Sequence, residues 1–175
     1  PSELTPMTAN LLMETLHEIG LPAGVVNLVH GSGEGAGAPL TSHPDVDLVS
    51  FTGGTATGAK VAEAAAPQFK KLSLELGGKN ATIVFDDCDI EKTVDGVARA
   101  GFLNSGQVCL CGSRILIQET IYDEFVGKFV AAVESMKIGD PSDEATELGA
   151  LISAEHLEKV ESYVALAGEE GGTLL

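Results

Sequence analysis

One cysteine of this sequence, Cys109, lies where covalent chemistry could be aimed. It falls between an amphipathic run that predicts a helix over residues 90–103 and an apolar run that predicts a strand over residues 115–118. A connection between two elements can direct a side chain into a cleft, and Gly106 and Gly112 on either side let backbone approach a ligand without a Cβ clash. Cys109 is therefore a candidate nucleophile. The alternative is a buried cysteine that only packs, as most free cysteines do.

A carboxylate, Glu75, stands at the end of another predicted strand. Leucines alternate with polar residues over positions 72–76, which predicts a strand, and Gly77-Gly78 follows as a flexible turn. A carboxylate at the carboxyl end of a strand, beside such a turn, is placed to act as a general base toward a crevice. The alternative is an ordinary exposed strand glutamate, which local evidence alone favours.

Two successive units of strand, glycine-rich turn and helix precede Glu75. The first comprises residues 25–29, 31–37 and 38–42, and the second comprises residues 48–52, 53–58 and 59–66, with Pro67 ending the helix. Such units present backbone N–H groups and a positive helix end to a phosphate. The first has G-x-G-x-x-x-G rather than G-x-G-x-x-G spacing, so a plain glycine-rich turn remains open there. Two such units predict parallel strands, hence an α/β doubly wound sheet with its ligand crevice at the strands' carboxyl ends.

The remaining elements complete an alternating α/β pattern. The sequence predicts a helix over residues 7–19 capped at Thr5, with Leu12, Leu16 and Ile19 inward; a strand over 81–85; an Asp89 cap for the helix from 90; a helix over 122–136 with Phe125, Phe129 and Val133 inward; and a Ser153-capped helix over 154–167. A shift from glycine-rich turns to longer helices predicts a domain boundary after Gly77.

Composition excludes several classes of function. A net charge of −16 argues against nucleic acid, which requires clustered basic side chains, and we interpret the acidic excess as solvated surface. No apolar run approaches the roughly 20 residues of a membrane span. Three cysteines, an odd number without framework spacing, favour a reducing compartment, the cytoplasm. Cys109-x-Cys111 has no partner cluster, and the four histidines are scattered, so we expect no metal site.

The sequence reads as an internal segment of a longer protein. It opens on Pro1-Ser2-Glu3 without an initiator methionine, and residues 171–175 read as the start of a strand. We therefore expect that a targeting segment, if the full protein has one, is not visible here.

Four motifs in register resemble the aldehyde dehydrogenase superfamily. They are Pro1-Ser2-Glu3, Phe51-Thr52-Gly53-Gly54 with Gly58, Leu74-Glu75-Leu76-Gly77-Gly78-Lys79, and Gly106-Gln107-Val108-Cys109 with Arg114. The resemblance covers the whole chain. It implies a Rossmann-like cofactor domain and an α/β catalytic domain that together oxidise an aldehyde to a carboxylic acid with a nicotinamide cofactor. Residues 1–77 would be the C-terminal part of the NAD-binding domain, and residues 78–175 the N-terminal part of the catalytic domain.

The resemblance also assigns roles by position. Cys109 would be the nucleophile and Glu75 the general base. Glu3 would hold the adenine-ribose hydroxyls, and because a carboxylate there repels a 2′-phosphate, NAD is favoured over NADP. The implied cofactor-binding residues are Glu3, Gly33, Phe51, Thr52, Gly53, Gly54, Gly58, Leu76 and Gly77. Family members often have serine where this chain has Gly54, so a phosphate-contacting hydroxyl is missing.

Within the superfamily, the segments around Cys109 and over residues 139–153 are similar to the muconic semialdehyde dehydrogenases. A betaine or aliphatic aldehyde is the alternative substrate. The acylating branch, in which coenzyme A takes the thioester, usually lacks the glutamate, so Glu75 argues against it. A non-catalytic descendant of the fold is the remaining alternative. We expect the full protein to form a homodimer or homotetramer, and these 175 residues alone to be inactive.

Overall fold

Two pairs of parallel strands organise the chain. The computed structural model describes residues 1–175, which form two compact units, Pro1–Gly77 and Gly78–Leu175. The first unit contains α1 (Met7–Glu18), α2 (Ala38–Ser42), β1 (Leu48–Gly53), α3 (Thr55–Ala65) and β2 (Lys71–Leu76). A π-helical turn, Gly33–Gly37, leads into α2, and a 3-10 turn, Ala66–Gln68, follows α3.

In the first unit, β1 and β2 are parallel and α3 connects them. Their register pairs Thr52 with Glu75 and Gly53 with Leu76. A Cβ built on Gly58 of α3 would lie 2.6 Å from Cδ2 of Leu76, so glycine lets the helix approach β2 closely. The predicted parallel strand–helix–strand unit is thus present. Helix α3 begins at Thr55 rather than at Ala59, because extended backbone at Gly54 (φ −72°, ψ 147°) already ends the turn.

Two further predictions for this unit were wrong. Residues 25–29 form no strand, since their backbone pairs with no other strand, and Val25 and Val29 are 64% and 55% exposed. The bounds of α1 are close to those predicted, but Pro6 rather than Thr5 is the N-cap, and no residue of the helix is buried. Leu12 is 58% and Ile19 72% exposed. Periodicity identifies an apolar face without indicating whether another element covers it.

The second unit contains β3 (Ala81–Val84), α4 (Ile90–Phe102), β4 (Arg114–Ile117), α5 (Tyr122–Glu134) and α6 (Ala154–Glu169). Strands β3 and β4 are parallel, and α4 connects them. The predicted caps are confirmed: the Asp89 carboxylate accepts a hydrogen bond from the Lys92 N–H at 3.3 Å, and Ser153 Oγ accepts one from the His156 N–H at 3.1 Å. Both therefore satisfy a free donor of a first helical turn.

The second unit has a distinct hydrophobic core. Val84 of β3, Val94 and Val97 of α4, and Phe125 of α5 are its buried members. Phe125 is fully buried, as predicted, and its ring stacks at 6.1 Å on that of the partly buried Phe129. Packing of α4 and α5 over β3 therefore holds the strand pair in place.

None of the helices has the combination of length and hydrophobicity that a bilayer crossing requires. The strand predicted to begin within residues 171–175 is absent. There, Gly171 adopts a φ of +89° and the Gly172 N–H donates to the Ala167 carbonyl at 2.8 Å, a pattern that ends α6.

Candidate active site

The loop between α4 and β4 exposes one thiol and buries another. Cys109 is exposed, whereas Cys111 is only 6% exposed. The backbone N–H of Cys109 has no acceptor within the chain. Cys111, and not Cys109, is therefore the cysteine that only packs. The thiol and the N–H of Cys109 are both accessible to a ligand.

A reversal of the chain just before the loop sets its direction. Asn104, Ser105 and Gly106 have φ values of 52°, 56° and 70° in succession, all in the left-handed region. Asparagine and glycine tolerate this conformation well, whereas serine does so at a cost. The end of α4 is thus turned sharply toward the cysteines.

Helix α4 and the residues that precede β3 both hold the C-terminal end of the loop by hydrogen bonds. The Gly112 N–H donates to the Ala100 carbonyl of α4 at 3.1 Å. Arg114 donates twice to the residues before β3: its N–H to the Asn80 carbonyl at 3.0 Å, and its Nε to the Lys79 carbonyl at 2.9 Å. Arg114, singled out in the sequence as part of a motif, is therefore an anchor of the loop.

Gly112 is required by its neighbour on β3. A Cβ built there would lie 2.2 Å from Thr82 Oγ1, which no side chain could accommodate without movement. The sequence indicated only that Gly112 allows a close approach. The structure shows that Gly112 lies close to β3 of the protein itself. A side chain at this position would push the loop away from the strand.

Sequence reasoning missed Asn80. Its amide Nδ2 donates to the Cys109 carbonyl at 3.0 Å and to the Cys111 carbonyl at 3.3 Å. The sequence signal available was the position of Asn80, directly after Gly77-Gly78-Lys79 and just before β3. Because β3 and β4 pair in parallel, the start of β3 lies beside the start of β4. A polar side chain at that edge is near the loop that enters β4.

Glu75 and several predicted cofactor residues share the carboxyl edge of the first strand pair. Thr52 and Glu75 are register partners on strands that lie about 4.8 Å apart, so their side chains point to the same face. Both are exposed. The paired Gly53 and Leu76 face the other side, where α3 packs. Phe51 also lies on that side, and its ring fills the space that a Cβ on Gly53 would occupy.

A groove in the first unit collects four of the predicted cofactor residues. Its volume is about 780 Å³, within the usual range for small-molecule sites of roughly 300–1,000 Å³. Glu3, Gly33, Phe51 and Thr52 all line it. The remaining predicted residues, Gly53, Gly54, Gly58, Leu76 and Gly77, do not line it.

Two helix starts supply hydrogen-bond donors in the same unit. Ser32 Oγ accepts from the Gly35 N–H at 3.0 Å, while the Gly33 and Glu34 N–H groups have no acceptor in the chain. Gly54 offers α3 no side-chain cap, so the first N–H groups of that helix are also free. Thr57 of its first turn lines the groove. Free N–H groups at a helix start suit an anionic group such as a phosphate.

Glu75 belongs to the first unit and Cys109 to the second. Their convergence on one crevice remains a prediction.

Comparison with known proteins identifies the family. The model of the aldehyde dehydrogenase family matches residues 1–175. The chain belongs to the aldehyde dehydrogenase family. The resemblance inferred from four short motifs is therefore confirmed over the whole chain.

Individual family members match closely but are much longer. The chain is 52% identical, over 98% of its length, to 2-aminomuconic semialdehyde dehydrogenase of Danio rerio and covers 35% of that protein. It is 50% identical, over its full length, to 2-hydroxymuconic semialdehyde dehydrogenase of Pseudomonas putida and covers 36% of it. The chain thus spans about a third of the length of these relatives.

A solved aldehyde dehydrogenase structure supports the fold. Betaine aldehyde dehydrogenase from Staphylococcus aureus, in complex with NAD+, superposes with a TM-score of 0.95 at 45% identity. The match covers 99% of this chain and 34% of that one. The predicted α/β class with parallel strands is therefore confirmed.

Proposed function

We propose that the protein containing this chain oxidises an aldehyde to a carboxylic acid with NAD as the hydride acceptor. The observation that carries the proposal is the exposed Cys109, on a loop that hydrogen bonds hold to α4 and β3. The whole chain matches the aldehyde dehydrogenase family. Residues 1–77 then form part of the NAD-binding domain and residues 78–175 part of the catalytic domain. The S. aureus relative contains NAD+, which supports the choice of cofactor.

Cys109 is the proposed nucleophile. Its thiolate Sγ attacks the aldehyde carbon, and the carbonyl oxygen takes up the electron pair and becomes an alkoxide. The free N–H of Cys109 is available to donate to that oxygen. NAD, when bound, accepts the hydride that leaves the same carbon. The substrate then remains on Cys109 as a thioester.

Glu75 is the proposed general base for release of the product. Its carboxylate takes a proton from a water molecule, whose oxygen attacks the thioester carbon. The carbon–sulfur bond breaks, the acid leaves, and Cys109 is regenerated. Exposure of Glu75 at the edge of β2 supports this role, because a base that activates water must be reached by water.

The groove of the first unit fits the proposed cofactor. Glu3 would bind the adenine-ribose hydroxyls and disfavour a 2′-phosphate, which selects NAD over NADP. Free N–H groups at Gly33 and at the start of α3 would bind the pyrophosphate. The full proposed set is Glu3, Gly33, Phe51, Thr52, Gly53, Gly54, Gly58, Leu76 and Gly77.

A muconic semialdehyde is the proposed substrate. The two relatives at 52% and 50% identity carry that activity in their names. The betaine aldehyde dehydrogenase at 45% is only slightly less similar, so betaine aldehyde is the second candidate. A survey of turnover on the intact enzyme with 2-aminomuconic, 2-hydroxymuconic, betaine and aliphatic aldehydes decides between them. Preference for one of the last two would reject the muconic assignment.

Two substitutions in the intact enzyme test the reaction itself. Cys109→Ala should abolish NADH formation, whereas Cys88→Ala, at a half-buried thiol, should retain it. Glu75→Gln should give one burst of NADH and then stall, because the thioester forms but is not hydrolysed. Full activity of Cys109→Ala would reject the proposed function. Turnover of Glu75→Gln that is restored only by coenzyme A would favour the acylating reaction.

The intact protein is proposed to be a cytoplasmic homodimer or homotetramer. Its family membership and the reducing environment indicated by three free cysteines support this. Light scattering of the purified intact protein tests the assembly. A monomer at working concentration would reject it.

A further inference from the structure

We infer that Asn80 is a positioning residue for Cys109: its side-chain amide, bonded to the Cys109 and Cys111 carbonyls, fixes the loop from which the thiol attacks the aldehyde. The inference rests on the proposed function. It concerns a residue that contacts the main chain of the nucleophile and not the substrate.

The Cys109 carbonyl has no alternative hydrogen-bond partner. Within the chain it accepts only from Asn80 Nδ2, at 3.0 Å. The Cys111 carbonyl accepts from Asn80 at 3.3 Å and also from the Ser113 N–H at 2.9 Å. Loss of the amide therefore leaves the peptide that follows Cys109 without a partner, while Cys111 keeps one.

The backbone of Asn80 is itself held by hydrogen bonds. Its carbonyl accepts from the Arg114 N–H at 3.0 Å, and the carbonyl of Lys79 accepts from Arg114 Nε at 2.9 Å. The next residue, Ala81, begins β3 and pairs with Arg114 of β4. The amide thus projects from the start of a paired strand, which is a rigid support for a functional loop.

The other contacts of the loop hold its two ends but not Cys109 itself. Gly112 is bonded to Ala100 and packs on Thr82, which fixes the loop after Cys111. On the other side, Gln107 donates to the Asn104 carbonyl at 3.1 Å, within the preceding turn. Between these points, Asn80 provides the contact that joins Cys109 to the strand pair. A displacement of about 1 Å at a nucleophile is enough to reduce a rate about a hundredfold.

The test uses the intact enzyme with Asn80→Asp, which keeps the size of the side chain but removes both N–H donors. Asn27→Asp is the matched control, because the Asn27 amide donates to one carbonyl, that of Gly24, at 3.0 Å in the first unit. Asn80→Gln, which keeps the amide, is the conservative variant. Asn80 is exposed, so these substitutions leave no buried group without a partner.

Four quantities are measured: the rate constant of the NADH burst, the Kd for NAD, the rate of alkylation of Cys109 by iodoacetamide, and hydrogen exchange of the loop amides. For Asn80→Asp we expect the burst to slow at least tenfold. NAD binding and alkylation should stay within about threefold, because neither requires an oriented thiol. Exchange at Cys111 should accelerate at least tenfold, whereas exchange at Gly112, whose N–H is bonded to the Ala100 carbonyl, should stay within about threefold. Asn80→Gln should recover most of the burst, and Asn27→Asp should change none of the four.

Several results would overturn the inference. An unchanged burst in Asn80→Asp is one, and an equal fall in burst, NAD binding and alkylation is another, since that pattern indicates general damage. A parent enzyme that forms no NADH from any aldehyde rejects the proposed function and the catalytic part of this inference together. Hydrogen exchange remains separate, because unchanged exchange at Cys111 rejects the role of Asn80 in holding the loop whatever the activity.

Discussion

The two units share a parallel strand–helix–strand arrangement but differ in what they bury. In the second unit Val84, Val94, Val97 and Phe125 are at most 6% exposed and form one cluster. In the first unit, only Thr41, Gly58 and Ala65 are buried. The same topology therefore gives one unit with a cluster of buried apolar side chains and one with a groove, free backbone donors and few buried side chains.

The largest expected effect comes from the core of the second unit. Phe125→Ala should lower the free energy of unfolding of that unit by about 3–5 kcal/mol, because it removes a fully buried ring and leaves a cavity. Leu12→Ala in α1, at a side chain 58% exposed, should cost less than about 1 kcal/mol in this chain. Unfolding in denaturant, with hydrogen exchange as the readout for each unit, measures the loss of unfolding free energy in both variants. Equal costs would contradict the contrast in burial.

A smaller loss is expected where the loop meets β3. Gly112→Ala should destabilise the second unit by about 1–3 kcal/mol, because its Cβ would lie 2.2 Å from Thr82 Oγ1. Gly127→Ala in α5, with open space around it, should stabilise the same unit by about 0.5–1 kcal/mol. Chemical denaturation compares the pair. A Gly112→Ala variant as stable as Gly127→Ala would show that the loop can move off the strand at no cost.

A gain is expected in the first unit. Gly54→Ser should stabilise it by about 0.5 kcal/mol, since serine suits the extended N-cap backbone, meets no atom within 4 Å, and supplies a hydroxyl that accepts from the first turn of α3. Gly54→Ala is the control, with a Cβ but no acceptor. Thermal unfolding should rank serine above glycine. If alanine stabilises as much as serine, the gain comes from the restricted backbone and not from the cap.

The smallest expected effect is an acid sensitivity of the second unit, where all four ion pairs lie. The ion pair with Lys137 at 2.7 Å, and then the hydrogen bond from the Ala145 N–H, lower the pKa of Asp143 below its usual 3.8. A lowered folded-state pKa gives stability that is present above the unfolded value and is lost as pH falls through the folded one. Asp143→Asn should therefore flatten the loss of stability below about pH 4.

Glu144→Gln, a neighbouring substitution at a carboxyl that forms no ion pair, is the control for Asp143→Asn. Urea unfolding at a series of pH values measures the effect. A flattening of equal size in both variants would indicate general charge repulsion in the loop instead of the Lys137 pair.

Periodicity predicted the elements whose partners are close in sequence. Helices at Ile90 and Tyr122, the caps at Asp89 and Ser153, and the inward Phe125 follow from local patterns. The run at residues 25–29 did not become a strand, because a strand needs a hydrogen-bonded neighbour that composition cannot specify. The same limit explains the exposed apolar face of α1.

The sequence predicted those candidate site residues whose positions depend on local patterns and missed one whose contact depends on strand pairing. The exposure of Cys109 was consistent with its position on a glycine-bracketed connection, and the place of Glu75 at a strand end followed from alternation. Asn80 was missed because its contact with Cys109 spans 29 positions and depends on the pairing of β3 with β4. Contacts of this kind are set by register, which a single sequence indicates only indirectly.

The pairing of Thr52 with Glu75 links the orientation of the Glu75 side chain to the length of the intervening chain. Side chains alternate between the two faces of a sheet. If one residue were added or removed between α3 and β2 and the strand pairing shifted by one residue to absorb it, Glu75 would face α3. A leucine would then take its place on the open face. Paired insertions of two residues would restore the orientation. An insertion in this connector would therefore reorient the carboxylate only where the strand register, and not the connector itself, absorbs the added residue.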